Sequence, residues 1–402
     1  MDNPFPDLER FRPQIQRGVE EKLFDFQRQQ RLKHLIYAAQ LTPELLEKLR
    51  RMADMIRQMA RQRDSNLRLK QLLAHKRAML YFTQPSTRTF LSFMAACQIL
   101  GITCNEVRDP KTSSEVKRES QMDSIRMFSS YFDVIIMRSP ITNLAECCAY
   151  MMNDLEAQEM RAVPTINAGS GSDEHPTQAL LDMYTIQRTF DFDLSSSSRR
   201  FQKLQKKYPN VTQGPAGKNY LFCGDIGRGR TVRSLATVLS QDPDQKMFFV
   251  SPDHNVLRLD VALKKRLETA GVEVHEFHSL DETIGGRPIL GEVDCLYMAR
   301  IQREHNSPTT SSEIAEIDLA PFQLTPARLG TLRDYTPIMH PFPRDSVVGE
   351  IPTEIDADPR VMYFRQARNG MWARAALLVH LLDAAEELFG EFQRKFAAGA
   401  AR

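Results

Sequence analysis

Short apolar runs alternate with helix-length amphipathic stretches along most of this chain, and that rhythm restricts the fold more than any other feature. The runs are AMLYF (78–82), DVIIM (133–137), VPTIN (163–167), YLFC (220–223), MFFV (247–250), VEVHEF (272–277) and VDCLYM (293–298). Between them lie helical patterns near 89–100, 118–130, 142–151, 177–188, 231–240 and 257–269. Strands alternating with helices predict an α/β protein of doubly wound parallel sheets. A length of 402 residues leaves room for two such domains. Ligands of these sheets sit beyond the carboxyl ends of the strands. The polar residues that follow each run are therefore where chemistry is expected.

Composition removes several classes of function. The net charge is only +2, so no general basic field argues for nucleic acid. No apolar run approaches the roughly 18 residues needed to span a bilayer. The start, MDNPFPDLERF, has neither a basic n-region nor an apolar h-region, so a cytoplasmic protein is expected. The cysteines (97, 104, 147, 148, 223, 295) form no C-x-x-C pair and read as reduced core residues. No cluster of metal-ligand type stands out, and no cofactor is expected.

Two segments break the pattern. Residues 1–33 are rich in charge, Gln and Arg, and read as a helical arm outside the main fold. Residues 195–218, SSSSRRFQKLQKKYPNVTQGPAGK, are polar, basic and punctuated by Gly and Pro, and read as a surface insertion. Between the arm and the first strand, Thr42, Pro43 and Glu44 supply a hydroxyl N-cap, an N1 proline and a first-turn acid. The helix they start should run to about residue 62.

Five polar clusters follow the strands. In FTQPSTRTFLSF (82–93), a helix starting near Thr87 would offer free N–H groups and a positive dipole end. With the Ser86, Thr87 and Thr89 hydroxyls and the Arg88 fork it forms a phosphate-sized anion site. Read without that role, it is a serine cap with incidental threonines. GSGSDEHPTQALLD (169–182) places His175 at a helix start, where a neutral ring can donate to a carbonyl without acting as a base. A simple capping histidine is the plainer reading.

FCGDIGRGRTVRSL (222–235) imitates a Walker A loop, but Arg230 stands where the compact lysine belongs. It also imitates a dinucleotide turn without completing G-x-G-x-x-G. What remains is a glycine loop that presents Arg230 to a carboxylate or phosphate. YMARIQRE (297–304) puts Arg300 and Gln302 on one side of an extended segment, suited to a second carboxylate. Last come Arg138 at the end of DVIIMR, Ser113 and Lys117 in KTSSEVKRES, and the proline-stiffened MHPFPRD with Pro341 and Phe342.

Taken in order, PSTRT, TSSEVK, HPTQALLD, GDIGRGRTV, ARIQ, HPFPR and YFRQARNGMWARAALL resemble the aspartate/ornithine carbamoyltransferase family from about Leu35 to Leu382. HPFPR resembles its aspartate branch; the ornithine branch would show a cysteine at Phe342. The resemblance implies an active site in a cleft between two domains. It also implies two small-molecule substrates, carbamoyl phosphate and L-aspartate, and a homotrimer that shares its sites, with a larger assembly possible. Residues 34–177 plus 372–402 would bind carbamoyl phosphate, and 178–371 would bind aspartate.

By the same resemblance, Ser86, Thr87, Arg88 and Thr89 would hold the phosphate, helped by Arg138. Thr89, Arg138 and His175 would contact the carbonyl oxygen. Gln178 and the carbonyls of Pro341 and Phe342 would orient the NH2 group. Arg230 would take the α-carboxylate of aspartate, and Arg300 and Gln302 its side-chain carboxylate. Ser113 and Lys117 would reach a neighbouring subunit's site.

Some positions depart from the family pattern. Gln84 replaces an acid, Phe90 and His305 replace arginines, and Arg368 replaces a glycine. The acid and arginine missing at Gln84 and His305 normally help to hold the closed state. One alternative keeps the chemistry and changes the amine, a carbamoyltransferase for another amino acid. The departures and the two added segments suggest the other, a non-catalytic scaffold or regulatory homologue.

Overall fold

A computed structural model of the chain describes residues 9–109, 120–171, 174–191, 199–301, 308–345 and 349–396. The contacts divide the chain into two compact units, Met1–Leu181 with Arg368–Arg402, and Asp182–Ala367. The division falls four residues from the sequence boundaries on each side, inside two helices, Pro176–Thr189 and Tyr363–Leu381.

The first unit holds a parallel sheet of β1 (Arg77–Phe82), β2 (Thr103–Val107), β3 (Val134–Arg138) and β4 (Thr165–Asn167), in the order β2-β1-β3-β4. β1 and β3 form its centre and are buried almost throughout. β2 lies at an edge and is largely exposed, so its residues TCNEV carry no apolar run and escape a sequence reading. Helix α1 (Pro43–Met59) starts as expected: the Thr42 hydroxyl accepts from the Leu45 N–H at 3.3 Å.

The arm needs a correction. Its described part, residues 9–33, is no separate helical appendage. It consists of short helical turns, Arg12–Ile15, Val19–Lys22 and Leu23–Phe26, and a small hairpin. Phe11 and Phe26 lie in the same apolar core as Tyr81, Ile135 and Tyr150. Lys22 is buried there, donating to Glu146 Oε1 at 2.8 Å, Tyr37 OH at 2.7 Å and the Ile15 carbonyl at 3.0 Å. All three of its N–H groups are thereby used, which is what makes a buried ammonium tolerable.

The segment after the arm extends the sheet edge. Leu35 pairs with Ile166 of β4, and the Thr165 N–H donates to His34 Nδ1 at 2.9 Å. Complete burial, aided by neighbouring Lys33, pushes the His34 pKa down to about 3. Between its ordinary value near 6.5 and about 3, the unfolded chain binds a proton that the folded chain refuses. The stability present above pH 6.5 is therefore lost as pH falls toward 3. Each pH unit in that window costs about 1.4 kcal/mol. A His34→Gln variant keeps an acceptor for Thr165. The fall of its unfolding free energy, measured by urea titration, between pH 6.5 and 4.5 should be smaller than that of the parent by about 2–3 kcal/mol.

The second unit has a parallel sheet of β5 (Asn219–Cys223), β6 (Lys246–Val250), β7 (Glu273–Phe277), β8 (Cys295–Met298) and β9 (Ile338–Met339), ordered β9-β8-β5-β6-β7. Its core includes Leu221, Phe248, Leu296 and Ile338. The insertion contains a helix, Arg199–Lys207, and ends on a buried lysine, Lys218. Among the described residues no helix is long and apolar enough to cross a membrane. None of the cysteines is in a disulfide, and Cys104 alone is not fully buried.

Candidate active site

In each sheet the chain reverses its direction of winding at one place. Consecutive strands run outward on either side of a central pair, and the right-handedness of parallel crossovers sends their connections to opposite faces. In the first unit that place lies between β1 and β3, in the second between β5 and β8. It opens a crevice beyond the strand ends, where ligands of open α/β sheets bind.

At the first crevice the last paired residues are Phe82 and Arg138. The Gln84 N–H donates to the Arg138 carbonyl at 3.2 Å, which ties the loop after β1 to the end of β3. That loop leads into helix α2, Thr87–Leu100. Ser86 occupies the N-cap position, yet its side chain makes no capping bond. The capping role that would have explained Ser86 without a ligand is therefore not the one it plays. Thr89 is buried, whereas Thr87 and Arg88 are exposed at the helix start.

Arg138 and His175 meet over Gly169. Arg138 Nη1 donates to the Ala168 carbonyl at 3.2 Å. A Cβ on Gly169 would lie 2.7 Å from that Nη1 and 2.9 Å from His175 Cδ2, at a φ of +98°. Only glycine lets the guanidinium and the imidazole share this space. His175 is buried, its carbonyl accepts from the Gln178 N–H at 2.9 Å, and Pro176 opens the helix. Gln178 stands on the first turn of that helix.

The loop itself is shaped by Asn167, a residue that the sequence reading passed over. Its Oδ1 accepts from the N–H groups of Gly169 and Ser170, both at 2.9 Å. Its Nδ2 donates to the Ile36 carbonyl at 3.1 Å. An asparagine just before a G-S-G turn was the available signal.

At the second crevice, β5 ends in Cys223 and β8 in Met298, paired side by side. The Ala299 N–H donates to the Cys223 carbonyl at 2.7 Å, and Arg300 follows. Arg230 is the first residue of the helix Arg230–Leu239, capped by Gly229. Arg300 lines a cavity of about 20 Å³ with Gly224, Gln323, Asp345 and Glu350. The loop bearing Pro341 and Phe342 is braced by His340, whose Nδ1 accepts from the Phe342 N–H at 2.8 Å. Its proton therefore sits on Nε2 and points at Glu350 Oε1, 2.6 Å away.

Ser113, Lys117, Gln302 and His305 lie outside the described residues. Of the departures, Gln84 spends its backbone N–H on Arg138, and Phe90 is buried edge-on against Phe82 at 5.4 Å, with Arg108 above its ring. Arg368 is exposed on its helix.

Residues 33–188 match the family model described as the carbamoyl-P binding domain of aspartate/ornithine carbamoyltransferase, and 216–381 match its Asp/Orn binding domain. The chain belongs to the aspartate/ornithine carbamoyltransferase family. It is 34% identical over 352 residues to the aspartate carbamoyltransferase catalytic subunit of Vibrio cholerae, covering 87% of this chain and 97% of that one. The aspartate transcarbamoylase of Trypanosoma cruzi, solved with carbamoyl phosphate and aspartate, aligns with a TM-score of 0.69 at 31% identity. The alignment covers 86% of this chain and 95% of that one. The catalytic subunit of the M. jannaschii enzyme aligns with a TM-score of 0.67 at 32% identity, covering 88% and 98%. The two family models leave residues 1–32, 189–215 and 382–402 of this carbamoyltransferase unmatched.

Proposed function

We propose that this protein transfers the carbamoyl group of carbamoyl phosphate to the amino group of L-aspartate, giving N-carbamoyl-L-aspartate and phosphate, an early step of pyrimidine synthesis. The observation that carries the reading is the meeting of Arg138 and His175 over Gly169 at a crevice whose rim bears Ser86, Thr87, Arg88 and Thr89. These groups suit a substrate with a phosphate at one end and a carbonyl at the other.

In the proposed mechanism the neutral amine of aspartate attacks the carbamoyl carbon. The carbonyl electron pair moves onto oxygen, where Thr89, Arg138 and His175 stabilise it. The C–O bond to phosphate then breaks as the carbonyl re-forms, and the proton shed by the attacking nitrogen passes to the departing phosphate oxygen. The resulting hydrogen phosphate dianion rests on Ser86, Thr87, Arg88 and the helix N–H groups. Each well-placed donor in such a site is worth roughly 2.7–4 kcal/mol. Gln178 and the carbonyls of Pro341 and Phe342 orient the NH2 group. Arg230 and Arg300, with Gln302, hold the carboxylates of aspartate. The chemistry requires no nucleophile from the protein, and orientation of two bound anions supplies much of the remaining acceleration.

The test is phosphate release from carbamoyl phosphate across a panel of amino acids. Release with aspartate and not with ornithine, glutamate or glycine is expected; release with another amine alone would overturn the reading. We also infer a homotrimer in which Ser113 and Lys117 serve a neighbouring subunit, and a cytoplasmic location. Mixing inactive His175→Ala chains with inactive Lys117→Ala chains should restore part of the activity. Absence of rescue in assembled mixtures would argue against shared sites.

A further inference from the structure

A second pocket opens at the opposite end of the second unit's sheet. Its volume is about 460 Å³, within the range of small-molecule sites. Lys218 and Asn219 stand at the start of β5, and Asp294 stands just before β8. The five residues of β5 rise about 3.3 Å each, which separates this pocket from the Cys223 end by roughly 13 Å. It is thus distinct from the crevice that bears Arg230 and Arg300. One wall comes from the insertion, through Lys207, Tyr208, Asn210 and Thr212, and the other from Arg333 and Tyr335. Apart from Gly217 and Lys218, the insertion wall falls in the stretch that neither family model matches.

The charge that the insertion brings to the pocket is of one sign. Residues 195–218 contain Arg199, Arg200, Lys203, Lys206, Lys207 and Lys218, and no Asp or Glu. Two cations at the pocket are balanced: Lys207 pairs with Asp334, and Arg333 pairs with Asp294 at 2.8 Å. Asp294 is also engaged by the Tyr335 hydroxyl and by the Asn219 N–H at 2.8 Å. Lys218 is different. It is buried, and its Nζ donates to the Thr212 carbonyl at 2.7 Å and hydroxyl at 2.8 Å, 4.5 Å from the centre of the Phe190 ring. Among the described residues it forms no ion pair. Burial pushes its pKa down to about 8, against an opposing pull from Asp294. An anion in the pocket would add a counter-charge closer to its Nζ, beneath Thr212. Beside it, the rings of Tyr208 and Tyr335 meet edge to face at 4.9 Å, a surface suited to a flat apolar body.

We propose that this pocket is a second ligand site, built by the insertion, for a small organic anion that carries a planar ring. The charged end lies toward Lys207 and Lys218, and the ring lies against Tyr208. The basic face of the insertion helix draws such anions in from solution.

The probe is phenyl phosphate, titrated calorimetrically into the full chain while a bisubstrate mimic, a phosphonate joined to a dicarboxylate, saturates the proposed active site. One further equivalent should bind per chain. Phenol and inorganic phosphate should each bind at least about tenfold more weakly, since each lacks one half of the recognised chemistry. Lys218→Met should weaken phenyl phosphate at least about tenfold, and Tyr208→Ser at least about fivefold. Carbamoyl transfer at saturating substrates should stay unchanged in both. Tyr208 is only half-buried, so its variant remains informative should Lys218→Met fail to fold.

No saturable binding by the parent chain would overturn the proposal, as would equal affinity in the parent and both variants. Displacement of the probe by heparin, with neither variant affecting affinity, would locate binding on the outer basic face and overturn the pocket. Failure of the bisubstrate mimic to bind would count against the carbamoyltransferase reading alone, because the phenyl phosphate site is measured separately.

Discussion

Arg300→Ala is expected to raise the KM for aspartate by about two orders of magnitude while the KM for carbamoyl phosphate stays within about threefold. The asymmetry follows from where the residue stands. Arg300 is fixed by the bond from the Ala299 N–H to the Cys223 carbonyl, at the crevice of the second unit. The proposed carbamoyl phosphate groups, Ser86 to Thr89, Arg138 and His175, all belong to the first unit. A guanidinium that holds a substrate carboxylate contributes about 3 kcal/mol, which corresponds to a factor of roughly 150. Lysine at this position should recover only part of the loss, because a point charge cannot reproduce the two-pronged fork. Steady-state kinetics with both substrates varied would check this. Equal losses toward both substrates would show that Arg300 has been given the wrong partner.

Gly224→Ala is expected to be the most damaging small substitution in the second unit. A Cβ at Gly224 would sit 1.9 Å from the Ala299 carbonyl oxygen, at a φ of +120°. Backbone occupies that space, so no side-chain rotation relieves the clash. The strand ends that lead to Arg230 and Arg300 would have to part, at a cost above about 4 kcal/mol. Gly214→Ala is the control, since its φ is +74° but nothing lies within 4 Å of the added carbon. That change should cost only about 1 kcal/mol, from backbone conformation alone. Limited proteolysis read by mass should show residues 182–367 of Gly224→Ala cut rapidly, with Gly214→Ala close to the parent. Equal resistance in all three would refute the close packing of Gly224 on Ala299.

The central strands were legible because both of their faces are buried: AMLYF, DVIIM, YLFC, MFFV and VDCLYM are continuous apolar runs. The edges were not. TCNEV is exposed at most of its positions, and Ile338–Met339 is too short to form a pattern. The strand order, and hence the crevices, is a long-range property that no local window contains. The arm misled for a related reason. Phe11, Lys22 and Phe26 are scattered among charged residues, and Lys22 is acceptable inside only because Glu146, far along the chain, stands beside it. The site residues were legible as types at strand ends. Their supports were not: Asn167 and His340 act through bonds to backbone N–H groups that composition does not reveal.

The division of the chain also governs the order in which the parts can form during synthesis. Residues 182–367 are one uninterrupted stretch, whereas the first unit is drawn from both ends, 1–181 and 368–402. On the ribosome, the later stretch can mature as soon as it has left the exit tunnel. The earlier one must wait, with its apolar helices only partly covered, until residues 368–402 have been made. A premature stop just after Ala367 would therefore release a chain whose aspartate-side half can finish folding and whose phosphate-side half cannot.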